Sequence, residues 1–385
     1  MEPTNRNARW TISRDALTLV ICIGIFNWFI LFLSSTHMLL DFATLYTGGG
    51  LVAEGHRALL FDMPMQMEFQ HRVLRLTKFF PFNHLAYESL LFAPLALLPF
   101  KYALWIWRIL SVGMLMLGTR QLADLFHAAR AHIFWIAVCC FPVGVAVVQG
   151  QDSLLLLLLL SSAMTCLKRD QDTMAGFLLA LALFKPQLIL PIAAILIWRR
   201  GYKFICGFLF GAALVVGLST AVTGFKGWQQ MTTLWRYDVS SAADQISSFA
   251  KSMPNLRGIL SAVGLSADAA LVFSAVLSVL LFMLVAWQLR REHSPLILFP
   301  PLVALTRLLS PHVNAHDLSI LLIPILALFV TEKKSASICA SVCFCYPLFL
   351  IVGHTAFFFF VICAVLWMTL ITGRSECPVD AQVAS

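Results

Sequence analysis

Residues 38–55 read MLLDFATLYTGGGLVAEG and follow directly on an apolar run long enough to cross a bilayer. A plain membrane anchor needs neither an acid at its mouth, here Asp41, nor three glycines behind it. A carboxylate at the end of an apolar helix is costly inside hydrocarbon, so it faces water, a cavity or a partner. Asp is also a good N-cap, which would make Asp41 the start of a helix over 42–57. Tyr46 and the glycines at 48–50 come next, and glycine permits tight turns and close backbone approach. The choice between cap and chemistry depends on the rest of the chain.

Of the 385 residues, 60% are hydrophobic and 12% charged. A soluble domain is nearer half apolar and one quarter charged, so the chain reads as a multi-pass membrane protein. The formal net charge of +8 does not point to nucleic acid. Its basic residues sit in short clusters between apolar runs: Arg6/Arg9/Arg14, Lys168/Arg169, Arg199/Arg200/Lys203, Arg290/Arg291 and Lys333/Lys334. Short basic loops are the positive-inside signature of a plasma or inner membrane protein. No signal-peptide cleavage site stands out, so the first span is expected to remain as an anchor. Nearly all the cysteines lie inside apolar runs without metal-ligand spacing.

Apolar runs recur near 16–36, 83–98, 102–118, 132–148, 153–167, 174–198, 204–223, 268–289, 295–309, 317–331, 336–352 and 355–372. They predict an all-α integral membrane domain over 1–385, with about twelve spans (11–13); the short, proline-containing runs 83–98 and 295–309 read equally as tilted or re-entrant segments, and 174–198 as two short helices meeting at Lys185-Pro186. Residues 1–15 would be cytoplasmic and 373–385 a tail. Two long loops, 37–82 and 224–267, would lie outside. Counting spans puts 119–131 outside too, although Arg120 and Arg130 favour the inside. In the first loop Pro64 opens a basic amphipathic helix with Met65, Phe69, Val73 and Leu76 on one face. Gln66, His71, Arg72, Arg75 and Lys78 fall elsewhere.

Four further stretches carry polar groups where apolar ones are the rule. In VVQGQDSLLLLL, Gln149, Gln151 and Asp152 crowd a glycine break between two runs; they either cap the next helix or bind hydroxyls. In LALFKPQLILP, Lys185 is a cation within an apolar run, and Pro186 breaks the helix beside it. An intramembrane lysine is a functional candidate, with an anionic phosphate as an obvious partner. In ALTRLLSPHVNAHDLSILL, Arg307, His312, Asn314, His316 and Asp317 bracket a Ser-Pro break. They could present donors to a phosphate or a sugar, or cap a helix; a divalent ion at His312/His316/Asp317 is the less favoured reading. In SFAKSMPNLRGIL, Lys251, Asn255 and Arg257 surround Pro254. No Walker loop, dinucleotide fingerprint, nucleophile elbow or metalloprotease helix occurs. An enzyme of this shape draws its activated donor from the membrane.

Taken in order, these pieces resemble glycosyltransferase family 87. The resemblance covers roughly residues 38–325. It rests on Asp41-Phe42, Tyr46, Gly55 and 59–62, on Phe80-Pro81-Phe82, and on the PLALLP exit at 94–99. It continues through Gly150-Gln151-Asp152-Ser153, the 175–186 run ending in Lys185-Pro186, Asn255-Leu256-Arg257-Gly258, and the 310–316 segment. Val313-Asn314, Leu256-Arg257 and the Phe-Pro-Phe-Asn-His before the second span depart from the family pattern. The resemblance implies a GT-C architecture and a polyprenyl-phosphate sugar donor, typically of mannose. It implies a glycan or glycolipid acceptor and an inverting transfer on the outer face. Asp41 then matches the catalytic base. Lys185, His316, His312 and Arg257 are expected at the donor phosphate, and Tyr46, Gln151, Asp152, Asn255 and Asn314 at sugar or acceptor. No cofactor or metal is expected. A transporter or flippase of a lipid-linked glycan is the alternative from another class, disfavoured because no inverted repeat shows. A third reading is a non-catalytic relative of the same fold.

Overall fold

The structure, a computed structural model, describes residues 14–35, 41–331 and 333–375; these form helices and turns, with no strand among them. Arg6, Arg9 and most of the C-terminal tail lie outside the described residues. Among the described residues, five helices are long and apolar enough to cross a bilayer: Phe100–Leu125, Tyr202–Trp235, Ala267–Gln288, Lys334–Ile351 and Thr355–Gly373. The pair Arg130–Cys139 and Phe141–Gln149, bent by 71°, makes a sixth if its halves count as one broken span; Pro142 lies in the first turn after the bend. Length and composition thus support five or six spans, against the twelve expected. Several apolar runs fold instead as shorter helices, because turns cut them. The run 174–198 breaks at Lys185 into Asp172–Leu181 and Pro186–Arg200, since Pro186 has no N–H to continue the first helix. The lipid-facing character of the long helices is plain on Ala267–Gln288, where Phe273, Val276, Leu280 and Met283 are all exposed.

The bundle has two unlike ends. At one, Arg200 donates to Asp172 (2.9 Å) and to the Leu167 carbonyl (2.9 Å), and Arg199 donates to the Glu292 carbonyl (2.7 Å). Lys168 donates to the Leu125 carbonyl at 3.1 Å. This basic end therefore gathers the loops near 126–129, 168–172, 199–201 and 290–293. At the other end lie Asp152, heading Ser153–Lys168, Lys185, heading Pro186–Arg200, and Ser310, closing Pro295–Leu309. Helices of this length rise about 22–24 Å, which separates the two ends by most of a hydrocarbon layer.

The structure shows at which end of the bundle residues 119–131 lie. The expected second span is only the helix Ala86–Ala96, about 16 Å long, and it does not leave the Asp152 end. The Tyr87 hydroxyl donates to the Leu181 carbonyl at 2.8 Å, next to the Lys185 break. The Leu98 carbonyl, past its other end, accepts from the Tyr46 hydroxyl at 2.8 Å. Phe100–Leu125 therefore ends at the basic end, where Lys168 meets the Leu125 carbonyl.

A second hydrophobic core holds the first long loop together, built on Phe42, Leu45, Tyr46, Phe69, Phe82, Phe92 and Trp107. The glycines at 48–50 form no turn. They are buried in the middle of the helix Phe42–Ala53. A Cβ on Gly48 would come 2.7 Å from the Phe82 ring, and one on Gly49 2.5 Å from the Phe92 carbonyl carbon. Gly49 lets Phe42–Ala53 lie backbone-close against Ala86–Ala96, while Gly48 and Gly50 make room for the rings of Phe82 and Phe69. The amphipathic helix is shorter than expected, Met63–Phe69 and a π turn Gln70–Leu74, stopped by Arg75 at φ 55°. Gln66 is on its buried face, exchanging bonds with the backbone of Phe82 and donating to Leu60. His71, Arg72, Arg75 and Lys78 face outward. The expected second loop, 224–267, is largely helical: Gly224, at φ 69°, breaks a helix that resumes to Ala250, and Leu256–Ala262 follows.

Candidate active site

Five separate elements deliver polar groups to the end opposite the basic loops. They make one continuous chain in which acids and bases alternate. Asp41 Oδ2 lies 3.5 Å from His316 Nδ1, and His316 Nε2 lies 3.6 Å from Asp317 Oδ1. Lys185 Nζ bridges Asp317 Oδ1 (2.8 Å) and Asp152 Oδ1 (2.7 Å). Asp152 Oδ2 is 3.6 Å from His84 Nδ1, which meets Glu88 Oε2 at 2.6 Å. The most exposed links are Asp41 at one end, with its side chain 25% exposed, and His84 next to the other end, at 18%; Glu88 itself is 2% exposed.

Asp41 occupies the N-cap position of Phe42–Ala53, yet its carboxylate makes no capping hydrogen bond. Its main-chain carbonyl takes the Thr44 N–H and hydroxyl instead, at 3.0 and 2.8 Å. The carboxylate is thus left to point at His316. His316 Nδ1 is 3.0 Å from Gln149 Oε1. An amide oxygen only accepts, so with Gln149 in this orientation Nδ1 carries the proton. Gln149 therefore fixes both the tautomer and the tilt of the imidazole beside Asp41.

Lys185 is present because the helix break at Pro186 turns it inward. Its third donor goes to Ser153 Oγ at 3.0 Å. Three protein oxygens thus surround the ammonium, and a phosphate contact from Lys185 would have to displace one of them. The fully buried Arg307 supports the same knot, donating from Nη1 to the Asp317 carbonyl at 3.1 Å. Asp317 Oδ2 in turn accepts from the Asn314 N–H at 3.1 Å.

The remaining expected residues divide. Asn255 is a clamp: its Nδ2 donates to the Ser310 carbonyl (2.8 Å) and its Oδ1 accepts from the Gly258 N–H (2.6 Å). It ties the helix Leu256–Ala262 to the Ser-Pro break. A Cβ at Gly258 would run into the Met253 carbonyl. Arg257 on that helix is buried, and its Nε has no hydrogen-bond partner. Gln151 is buried beside the left-handed Gly150 (φ 70°). Tyr46 has a packing role: it is buried among Phe42, Phe69 and Phe100, with its hydroxyl spent on Leu98. His312 is exposed, whereas His316 and Asp317 are buried. The metal-capable grouping among the described residues is not that trio but His84, Glu88 and Asp152.

His84 and Glu88 were missed by the sequence reading. Their signal was present as a His and an acid four apart, at the start of an otherwise apolar run. Gln149 was noticed but passed over in favour of Gln151.

The model of glycosyltransferase family 87 matches residues 88–311, more than half of the chain. The chain belongs to glycosyltransferase family 87. No curated protein matches it, and no solved structure does. As a family 87 member it is a membrane glycosyltransferase. The family 87 match begins at Glu88 and takes in Asp152, Lys185, Asn255 and Arg257. Asp41, His84, His316 and Asp317 fall outside it and are tied to it only by the contacts above.

Proposed function

We propose that this glycosyltransferase moves a hexose, of the mannose type, from a polyprenyl-phosphate donor to a hydroxyl of a glycan or glycolipid, with inversion. Asp41 is the general base. It takes the proton of the acceptor hydroxyl while that oxygen forms a bond to the anomeric carbon. The bond from that carbon to the lipid phosphate breaks, and the phosphate leaves with the electron pair. The observation that carries this reading is the Asp41 carboxylate: it is partly exposed, spent on no cap, and set 3.5 Å from an imidazole whose tautomer Gln149 holds. A base must lie within hydrogen-bond reach of the proton it takes, and a carboxylate committed to capping would not be free to do so.

The departing phosphate needs charge neutralisation rather than a proton. Arg257, with its buried and unpartnered Nε, is the best-placed donor by chemistry, aided by His316 and His312. Lys185 acts on the phosphate through the field of the knot it anchors. Gln151 and Asn314 would face sugar or acceptor hydroxyls; Asp152, expected with them, is fully buried and paired with Lys185 at 2.7 Å, so it holds the knot instead. The site lies at the end opposite the basic loops, and basic loops favour the cytoplasm. Transfer would therefore take place on the outer face of the plasma or inner membrane, within a GT-C-type helical bundle.

Purified protein offered a polyprenyl-phosphate mannose or a nucleotide mannose, with the product's anomeric configuration read by NMR, tests the reading. Transfer from the lipid donor alone with inverted configuration is expected. Use of the nucleotide sugar, or retention, would contradict it.

A further inference from the structure

The chain of alternating charges ends, on the side away from Asp41, in a group to which no step of the transfer has been assigned. We propose that His84, Glu88 and Asp152 bind a divalent cation of the Mn2+ or Zn2+ class. Their ligand atoms all lie within 4.8 Å of one another. Bonds of about 2.1 Å to such an ion put neighbouring ligand atoms about 3 Å apart. The two contacts of His84 Nδ1 straddle that spacing, 2.6 Å to Glu88 Oε2 and 3.6 Å to Asp152 Oδ2.

Two further observations point to a ligand rather than to a closed ion-pair cluster. Glu88 is only 2% exposed, and its second oxygen, Oε1, has no hydrogen-bond partner. Asp152 is fully buried, and neither of its oxygens accepts a hydrogen bond, with Oδ1 2.7 Å from Lys185 Nζ and Oδ2 3.6 Å from His84 Nδ1. Buried carboxylate oxygens of this kind are costly unless a cation or donor meets them. Four carboxylates, Asp41, Asp152, Asp317 and Glu88, share two permanent cations, Lys185 and Arg307. Lys185 serves both Asp152 and Asp317, and Glu88 meets the His84 imidazole at 2.6 Å, a group that is cationic only when protonated. A divalent ion there would add a permanent positive charge.

The scaffold is set for coordination. The His84 ring lies against Phe82, centroids 5.7 Å apart and planes at 22°, and the Trp235 indole N–H holds the neighbouring Asn83 carbonyl at 2.8 Å. Asp152 splits its oxygens, Oδ1 to Lys185 and Oδ2 toward the ion. One imidazole nitrogen and two carboxylates suit Mn2+ or Zn2+ better than Ca2+, which takes oxygen ligands, or Cu+, which takes sulfur.

The test reads metal rather than turnover, so its outcome is independent of the transfer reaction. The full chain, purified without a histidine tag, is stripped with EDTA, incubated with Mn2+ or Zn2+, and desalted. Elemental analysis and melting temperature are then recorded for wild type, Glu88→Gln and His84→Gln. Both substitutions keep size and avoid the Lys185 pairs, and His84→Gln decides if Glu88→Gln does not fold. The expected result is one ion per wild-type chain with a raised melting temperature, at least tenfold less metal in a folded variant, and no rise there. Wild type that retains neither ion would overturn the proposal, the two carboxylates then sharing a proton. Variants that retain as much metal as wild type would overturn it equally, by placing the ion at another site.

Discussion

Asp41 and Asp152 stand in the same local setting. Each sits at the N-cap position of a helix, and neither side chain caps it. Their surroundings could hardly differ more. Asp152 is fully buried, ion-paired to Lys185 at 2.7 Å and flanked by His84. Asp41 is a quarter exposed and faces one imidazole at 3.5 Å. Local sequence thus spells a cap twice, and distant elements convert one copy into the anchor of a buried knot and leave the other available for chemistry.

Removing the anchor should have the largest effect. Lys185→Met leaves Asp152 and Asp317 buried without their shared cation, and breaking a buried ion pair costs about 3–5 kcal/mol. A collapse in detergent-solubilised yield and melting temperature is expected, with activity lost alongside the fold. A stable variant that lost only donor affinity would mean Lys185 is a phosphate ligand first and a counter-ion second. The scaffold under Asp41 is the next test. Gly49→Ala drives a methyl into the Phe92 carbonyl carbon, an overpacking that costs about 1–3 kcal/mol. A lower melting temperature and slower transfer are expected. An unchanged melt would show that the helix Phe42–Ala53 does not lie as close as described.

Smaller effects sharpen the contrast between clamps and contacts. Asn255→Ala removes a cap worth about 1 kcal/mol and the tie to Ser310. Donor KM should rise as the helix carrying Arg257 loosens, more than kcat falls. An acceptor KM that rises instead would return Asn255 to the acceptor site. Tyr46→Phe deletes one hydrogen bond to Leu98, about 0.5–1.5 kcal/mol, and should leave transfer rates intact. A large rate loss with normal stability would put the Tyr46 hydroxyl on the sugar.

Much of this was legible in the sequence, for reasons that also explain what was not. Apolar runs fix the helical membrane class because hydrocarbon leaves the backbone few alternatives. Asp41, Lys185, His312, His316 and Asp317 stood out as polar groups where such groups are expensive. The contacts joining Asp41 to Lys185 through His316 and Asp317 follow that logic. Pairing was hidden, since nothing local tells Lys185 to bridge Asp152 and Asp317. The glycines at 48–50 misled because glycine serves turns and close packing alike. The span count was open at 83–98, a short run with a proline in it, and there the helix Ala86–Ala96 is too short to cross by itself. His84 and Glu88 escaped because each looked like an ordinary residue at the mouth of that supposed span.

The most direct measurement compares Asp41→Asn with wild type in two assays on one preparation: melting temperature and initial rate of hexose transfer from the lipid donor. Because the carboxylate caps nothing, the melt should not move. Because it is the base, the rate should fall on the order of 100- to 10,000-fold. A variant that keeps more than about a tenth of the wild-type rate, well short of what losing a general base costs, would contradict the account.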